Sequence, residues 1–190
     1  MFLHNMTRLE AVNAVLNAIG DTPINTLEDD ESVEVSIINE MIDFTSRSLQ
    51  SQGWDFNTIT EITLIPDFRD NKIVYPKQYL HIENSDPSTI LVQRGDYLYN
   101  MTTRSYTFTS PIVISAIEFL DFDDLPHEFK YYIAIKVAKE YQERYLGDQL
   151  LAQELANKLA EAHMFLLRYD VNRGNYNILS NTSVATALQR

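Results

Sequence analysis

The residue types in this chain that could catalyse a reaction are its carboxylates, because the sequence has no cysteine and only four histidines. Two groups stand close enough in sequence to supply an acid and base pair: Glu61 with Asp67, and Asp121 with Asp123 and Asp124. Glycoside hydrolysis needs such a pair held several ångströms apart in a cleft. A chain with 27 acidic residues brings carboxylates together by chance, however. Glycan hydrolysis is therefore only an alternative function, and we assign no catalytic residue.

Signatures of other reaction classes are missing from the sequence. It contains no G-x-S-x-G elbow, phosphate-binding G-x-x-x-x-G-K-[ST] loop, H-E-x-x-H or G-x-G-x-x-G motif. His4, His81, His127 and His163 show no ligand spacing, and the acidic run 28–31 lacks the alternation and the glycine of a calcium loop. We predict no metal and no cofactor.

The composition is that of a soluble globular protein with an acidic surface. The net charge of −12 argues against a nucleic-acid reader, which relies on lysine and arginine to displace counterions. Residues 171–190 contain two arginines and no acid, so removing this +2 from the total leaves −14 on the rest. No apolar run approaches the roughly 20 residues of a membrane span, and the N-terminus lacks a signal-peptide pattern. We expect synthesis in the cytoplasm.

The triplet Arg94-Gly95-Asp96 could be an adhesion motif or only a turn. Strand-forming residues 90–92 and 97–99 flank it on either side. Glycine takes the positive φ of the first central position in a two-residue turn at no steric cost. The sequence therefore predicts a β-hairpin over 90–101 with this triplet at its tip.

Helical periodicity marks both ends of the chain. A capping box at Thr7 and Glu10 predicts a helix over 7–19, and a second is expected over 32–52 after the acidic run. A third is predicted from a cap at Asp123 or Asp124 to Gly147, with Lys130 solvated, and a fourth begins at Asp148. The short turn between the last two predicts that they lie antiparallel.

The middle of the chain, 54–122, is rich in β-branched and aromatic residues with period-2 alternation. It predicts six short strands, one of them at 72–76, in an antiparallel sheet or small barrel. The fold class is thus α+β, an antiparallel bundle of about four helices with an inserted antiparallel β-domain and an extended C-terminal arm. The predicted parts are 1–53, 54–122, 123–171 and the arm 172–190.

Six segments taken in order resemble the tail tubular protein A family of short-tailed, T7-like bacteriophages. They are SQGWDFNT (51–58), ITLIPD (62–67), IVYPKQYL (73–80), QRGDYLYN (93–100), FDDLPHEFKYYIAIKVAKEYQERYLGD (122–148) and GNYNIL (174–179). The stretch 122–148 is the most specific, and the match runs over nearly the whole chain. The resemblance implies a non-enzymatic virion protein, with no catalytic motif to map onto these positions.

The same resemblance implies partners. The chain would form a twelvefold adaptor ring between the portal and the nozzle-forming tail tubular protein B, near the tail fibre, with genomic DNA passing through without sequence-specific binding. A heterologous ring interface could use exposed tyrosines, and the hairpin tip could contact the nozzle, a neighbour or a fibre. The C-terminal arm could dock onto a neighbour or the portal. The candidate interface residues are Arg94, Gly95, Asp96, Tyr131, Tyr145, Arg173, Tyr176, Ile178 and Leu179.

Overall fold

The computed structural model of the protein describes residues 5–27 and 32–173. The chain divides into two compact units, and the border lies inside the second helix. The helical unit comprises Met1–Ser46 and Phe122–Arg190, whereas the β unit comprises Arg47–Asp121. Helices and antiparallel strands together confirm the predicted α+β class.

Helix α1 spans Arg8–Ile19 and begins as the sequence predicts. The Glu10 amide donates to the Thr7 hydroxyl oxygen at 3.2 Å, and the Thr7 amide donates to the Glu10 carboxylate at 2.7 Å. This reciprocal pair satisfies two amides that have no partner inside the helix. Gly20 ends the helix at φ +82°, a left-handed conformation that costs glycine no Cβ clash.

Helix α2 spans Val33–Gln50, close to the predicted 32–52. Ser32 caps its first turn, since the Val35 amide donates to the Ser32 hydroxyl oxygen at 3.2 Å. Ile38, Ile42 and Leu49 recur on one face of this helix, and all three are buried. The acidic run 28–31 lies outside the described residues.

The β unit contains two separate antiparallel sheets. Its strands are β1 (Thr58–Leu64), β2 (Tyr79–Asn84), β3 (Leu91–Arg94), β4 (Tyr97–Asn100) and β5 (Ile112–Glu118). The larger sheet has the order β1-β5-β2, and β3 pairs only with β4. The prediction of six strands in one sheet or barrel is therefore wrong in detail. Segment 72–76 makes isolated bridges at Lys72 and Val74, and Pro76 at its end has no amide to donate to a ladder.

The core of the β unit is an apolar cluster drawn from both sheets and from the segments between them. Its buried members are Ile73, Tyr75, Ile82, Leu91, Leu98, Phe108, Ile114 and Ala116. Segment 72–76 joins this core through two main-chain bonds of 2.9 Å, Leu98 N to Ile73 O and Tyr75 N to Asp96 O. The hairpin therefore rests on a packed base.

Helix α3 spans His127–Tyr141, a π-helical turn covers Gln142–Leu146, and α4 spans Gln149–Arg173. The Asp148 carboxylate caps α4 as predicted, accepting from the Leu150 amide at 2.8 Å. The predicted antiparallel packing is also confirmed. Residues early in α3 meet residues late in α4: the Phe129 and Tyr169 ring centres are 6.0 Å apart, and those of Tyr132 and His163 are 5.7 Å apart.

Two predictions about the start of α3 are wrong. Pro126 occupies the N-cap position, because the 3-10 turn Phe122–Asp124 ends before the helix begins. Asp123 instead accepts the Arg8 amide at 3.1 Å, so that it caps α1 from a distant part of the chain. Lys130, expected to be solvated, is only 1% exposed, because α3 packs against both α1 and α4.

Candidate assembly interface

The predicted hairpin tip is confirmed. Arg94 pairs with Tyr97, which leaves Gly95 and Asp96 as the two turn residues. Gly95 has φ +62°, and no atom lies within 4 Å of the position that a Cβ would occupy. A single positive φ at the first turn position is typical of a type II′ turn, whose twist matches that of the strands.

Arg94 is exposed but held in place. Its Cζ lies 3.8 Å from the centre of the Tyr99 ring, and its Nη2 lies 3.3 Å from Sδ of Met101. A guanidinium over an aromatic face is attracted by the ring quadrupole. The tip therefore presents an oriented cation beside the exposed Asp96, an arrangement that suits a polar contact with a partner surface.

Tyr131 lines a cleft between α3 and α4 with a volume of about 670 Å³. The cleft has aromatic walls and a charged rim, and it reaches the last turn of α4. Its lining residues are His127, Glu128, Tyr131, Glu161, Phe165, Arg168, Tyr169 and Asn172. Tyr131 thus lies beside the end of α4, where the predicted arm begins.

Tyr145 lies in the π-helical turn and is 49% exposed. Its ring centre is 4.6 Å from that of the buried Tyr141. Burial, followed by the negative charge of Glu34, raises the pKa of the Tyr141 hydroxyl above its ordinary value. The exposed ring of Tyr145 therefore packs on the buried Tyr141, just after the end of α3. Tyr131 lies near the start of that helix.

The buried Lys130 ammonium ties the start of α3 to the chain before α1. Its Nζ donates to the main-chain oxygens of Met6 at 2.9 Å and of Asp123 at 2.7 Å. Desolvation lowers the pKa of this amine, and the nearby Asp123 and Asp124 carboxylates oppose that change. The lysine holds together two segments that lie more than a hundred positions apart in the sequence.

The predicted interface residues thus fall into separate groups. Arg94, Gly95 and Asp96 form the hairpin tip of the β unit, while Tyr131 and Tyr145 lie at opposite ends of α3 in the helical unit. Arg173 is the last residue of α4. Tyr176, Ile178 and Leu179 lie outside the described residues.

Two of the five carboxylates considered for hydrolysis have structural roles. Asp123 caps α1, and the Asp67 carboxylate accepts the Arg69 amide at 2.8 Å within its own turn. Glu61 has φ +61° at an irregularity in β1. Within 5–27 and 32–173, no three histidine, aspartate or glutamate side chains gather as a metal site, and no helix is long and apolar enough to cross a membrane.

Exposed apolar side chains on the helices are the feature that sequence reasoning missed. Phe44 on α2 is 76% exposed, and Leu150 and Met164 on α4 are 85% and 70% exposed. Each lies on the side of its helix away from the buried stripe. The sequence signal for these residues is a second apolar row at heptad spacing on each helix. It was missed because one apolar stripe was enough to predict each helix.

These observations describe a protein distinguished by exposed apolar and aromatic side chains. Comparison with known proteins gives the family. The family model for tail tubular protein matches residues 9–176. The chain is also 24% identical to tail tubular protein A of Klebsiella phage KP34 over 160 residues, which cover 84% of this chain and 83% of that relative.

The chain therefore belongs to the tail tubular protein family and is a structural protein of a phage tail. The resemblance found in the sequence segments is confirmed. Membership places the protein in the virion tail, and a structural family suggests a non-enzymatic role.

Proposed function

We propose that this chain forms the adaptor ring of a short phage tail, joining the portal to the nozzle protein and lining part of the DNA ejection channel. The observation that carries the proposal is family membership over residues 9–176 combined with exposed apolar helix faces on the helical unit. An interface in which one patch binds a different patch of the next copy generates a ring when the rotation between copies closes. The ring would be twelvefold, would contact tail fibres near its lower junction, and would assemble after synthesis in the host cytoplasm.

The charge distribution supports a channel role. The chain carries −14 apart from its last twenty residues. A negatively charged lumen repels the DNA backbone, so the genome can pass without adhering to the wall. Binding to a specific DNA sequence is not part of the proposal.

The hairpin tip and the C-terminal arm are the proposed contact points with other tail parts. The tip offers Arg94 stacked on Tyr99 beside the exposed Asp96. The arm, 172–190, carries no acid and would dock on a neighbour or the portal through Arg173, Tyr176, Ile178 and Leu179. We keep the division into 1–53, 54–122, 123–171 and this arm as a proposal for the parts that assemble.

The direct test is electron microscopy of the purified protein mixed with portal rings. We expect an added ring of density on one face of the portal, with twelve copies. The same protein without portal measures, by light scattering, whether the ring needs a template. Portal rings that bind none of the protein would contradict the proposal.

The hairpin tip can be tested separately with Arg94→Ala combined with Asp96→Ala. We expect fewer complete tails in infected cells, because the oriented cation and the carboxylate are both lost. Lys77→Ala with Asp121→Ala is the matched control, since it also removes one exposed cation and one exposed anion from the β unit. Equal tail assembly in the two double variants would remove the tip from the interface.

Hydrolysis of bacterial surface polysaccharide is the alternative function. It requires two carboxylates in a cleft, and two of the five considered already make structural bonds. Incubating the purified protein with host polysaccharide should release no reducing sugar. Release that is abolished by Glu61→Gln or Asp121→Asn would instead establish an activity.

A further inference from the structure

Helix α4 presents an exposed apolar row along its outer side. The α4 outer row, Ala160, Met164, Leu167 and Val171, recurs at steps of four, three and four residues. All of these residues are exposed, whereas Leu155, Ala162 and Leu166 face the core. Steps of three and four place side chains on one stripe of a helix, as in a coiled-coil seam.

Helix α2 presents a second row with the same spacing. The α2 outer row, Val33, Ile37, Glu40 and Phe44, also follows steps of four, three and four. Val33 is 67% exposed and Phe44 is 76% exposed. The two rows have equal lengths of about three turns, so each residue of one can lie opposite a residue of the other.

Both rows belong to the helical unit, and α2 and α4 run in the same direction within it. Arg8 at the start of α1 bonds Asp43 late in α2 at 2.7 Å, whereas the charge of Glu34 at the start of α2 acts on Tyr141 at the end of α3, so α2 runs opposite to α1 and α3. Lys130 near the start of α3 bonds Met6 just before α1, so α1 and α3 share a direction. Because α4 is antiparallel to α3, it is parallel to α2.

We propose that the α2 outer row of one copy packs against the α4 outer row of the next copy, in parallel. This inference rests on the proposed ring. Neighbours in a twelvefold ring differ by a rotation of about 30°, which leaves α2 of one copy nearly parallel to α4 of the next. The two rows are unlike each other, as a head-to-tail interface requires.

The parallel register also pairs opposite charges. With Val33 opposite Ala160, Glu40 lies opposite Leu167, next to Arg168, and Phe44 lies opposite Val171. Two α4 rows paired by a two-fold axis would instead be antiparallel and would centre between Phe165 and Leu166, which would place Glu161 of one copy opposite Asp170 of the other. Like charges across an interface are unfavourable, so the head-to-tail arrangement is preferred.

The absence of cysteine makes the pairing directly measurable. Tails are isolated from virions that carry Phe44→Cys with Val171→Cys, and a thiol cross-linker is added. We expect a ladder of covalent oligomers, because each copy links to the next. Phe44→Cys alone and Val171→Cys alone are the controls, and neither should cross-link.

Two outcomes would overturn the inference. Rings that are visible by electron microscopy but give no ladder would reject the pairing while leaving the adaptor ring intact. Dimers from Met164→Cys alone, a position next to the centre of the α4 outer row, would show a two-fold contact instead. Tails without any ring of this protein would reject the proposed function itself.

A charge exchange tests the register independently of cross-linking. Glu40→Arg and Arg168→Glu should each reduce ring assembly about tenfold, because each places like charges together. The double variant should recover assembly, since it restores an opposite pair. Circular dichroism of each variant checks that the helices still form. A folded double variant that assembles no better than either single variant would reject the register.

Discussion

In both the helical unit and the β unit, a buried polar side chain bonds the main chain of a distant segment, but the two side chains differ in chemistry. In the helical unit a charged amine, Lys130, bonds two main-chain oxygens from segments far apart in sequence. In the β unit a neutral amide, Gln50, bonds both polar groups of Leu120, with Nε2 donating at 2.9 Å and Oε1 accepting at 2.8 Å. Both devices join segments that hydrophobic packing alone does not fix in register.

The difference predicts which substitutions destabilise each unit most. Desolvating an ammonium costs more than desolvating an amide, so the helical unit depends more strongly on the bonds of Lys130 than the β unit does on those of Gln50. The β unit spreads the same task over a second amide, since Asn57 Nδ2 bonds Gln50 O at 3.1 Å and Glu118 O at 2.9 Å. Loss of one amide there leaves other bonds in place.

The largest expected effect is that of Lys130→Met. Methionine keeps the apolar stem but removes the donor from two partly buried carbonyl oxygens, those of Met6 and Asp123, at a cost of about 3 kcal/mol. Urea unfolding followed by far-UV circular dichroism measures it. Lys136→Met, which loses a longer contact of 3.9 Å to Glu140, should change stability by less than about 0.5 kcal/mol. Equal effects in the two variants would show that Lys130 is not an anchor.

A smaller effect is expected for Gln50→Ala, about 2 kcal/mol, because Leu120 loses both of its side-chain partners while Asn57 keeps its own. Trp54 is the chain's single tryptophan and is buried in the β unit, so its fluorescence reports this unit. The exposed Gln52→Ala is the control. A shift of the unfolding curve measured by far-UV circular dichroism without a shift of the curve measured by Trp54 fluorescence would show that Gln50 does not stabilise the β unit.

These anchors also show the limits of prediction from the sequence. Capping at Thr7 and Asp148, the Gly95 turn and the core stripes were predictable, because short-range spacing and backbone preferences determine them. The burial of Lys130 and the role of Asp123 were not, because both depend on contacts with residues more than a hundred positions away. Periodicity carries no information about such contacts.

The surfaces proposed for assembly also differ in how far the sequence predicts them. The hairpin tip followed from a local turn pattern, and its residues lie together as expected. The exposed rows on α2 and α4 were missed, because an apolar residue at helical spacing predicts burial without saying whether the same chain or another covers it. The segments that carry family resemblance supplied the function, which the fold does not specify.

Replacing a turn glycine by alanine should destabilise the helical unit and the β unit by similar amounts. Gly20 and Gly95 both have positive φ and nothing within 4 Å of an added Cβ, so alanine at either site costs only backbone strain, about 1 kcal/mol. Urea unfolding of Gly20→Ala and Gly95→Ala measures this cost. A much larger loss at Gly95 would show that the hairpin turn also controls packing in the β unit.

The tyrosines of raised pKa are expected to have no effect on the pH dependence of stability near neutral pH. Their effect appears only in alkaline solution, where the tyrosine hydroxyls titrate. Burial raises the pKa of Tyr75 in the β unit and of Tyr132 and Tyr141 in the helical unit. A raised folded-state pKa means that the folded protein holds the proton more tightly, so stability falls as pH rises through about 10. The lowered pKa of Lys130 acts in the opposite direction in that range.

Alkaline unfolding therefore distinguishes the units. Between about pH 9 and 11, the helical dichroism should report a steeper loss of stability than Trp54 fluorescence, because the helical unit contains two tyrosines of raised pKa and the β unit one, and Lys130 offsets only part of their effect. Tyr75→Phe should flatten the fluorescence profile. If the fluorescence profile of Tyr75→Phe keeps the original slope, the tyrosine does not cause the loss.

The central claim is that this chain is the ring between portal and nozzle. Electron microscopy of virions from a phage lacking this protein tests it most directly. The account predicts heads without complete tails that fail to retain DNA, and restoration of a twelvefold ring when the protein is supplied. Complete tails on filled heads in its absence would contradict the account.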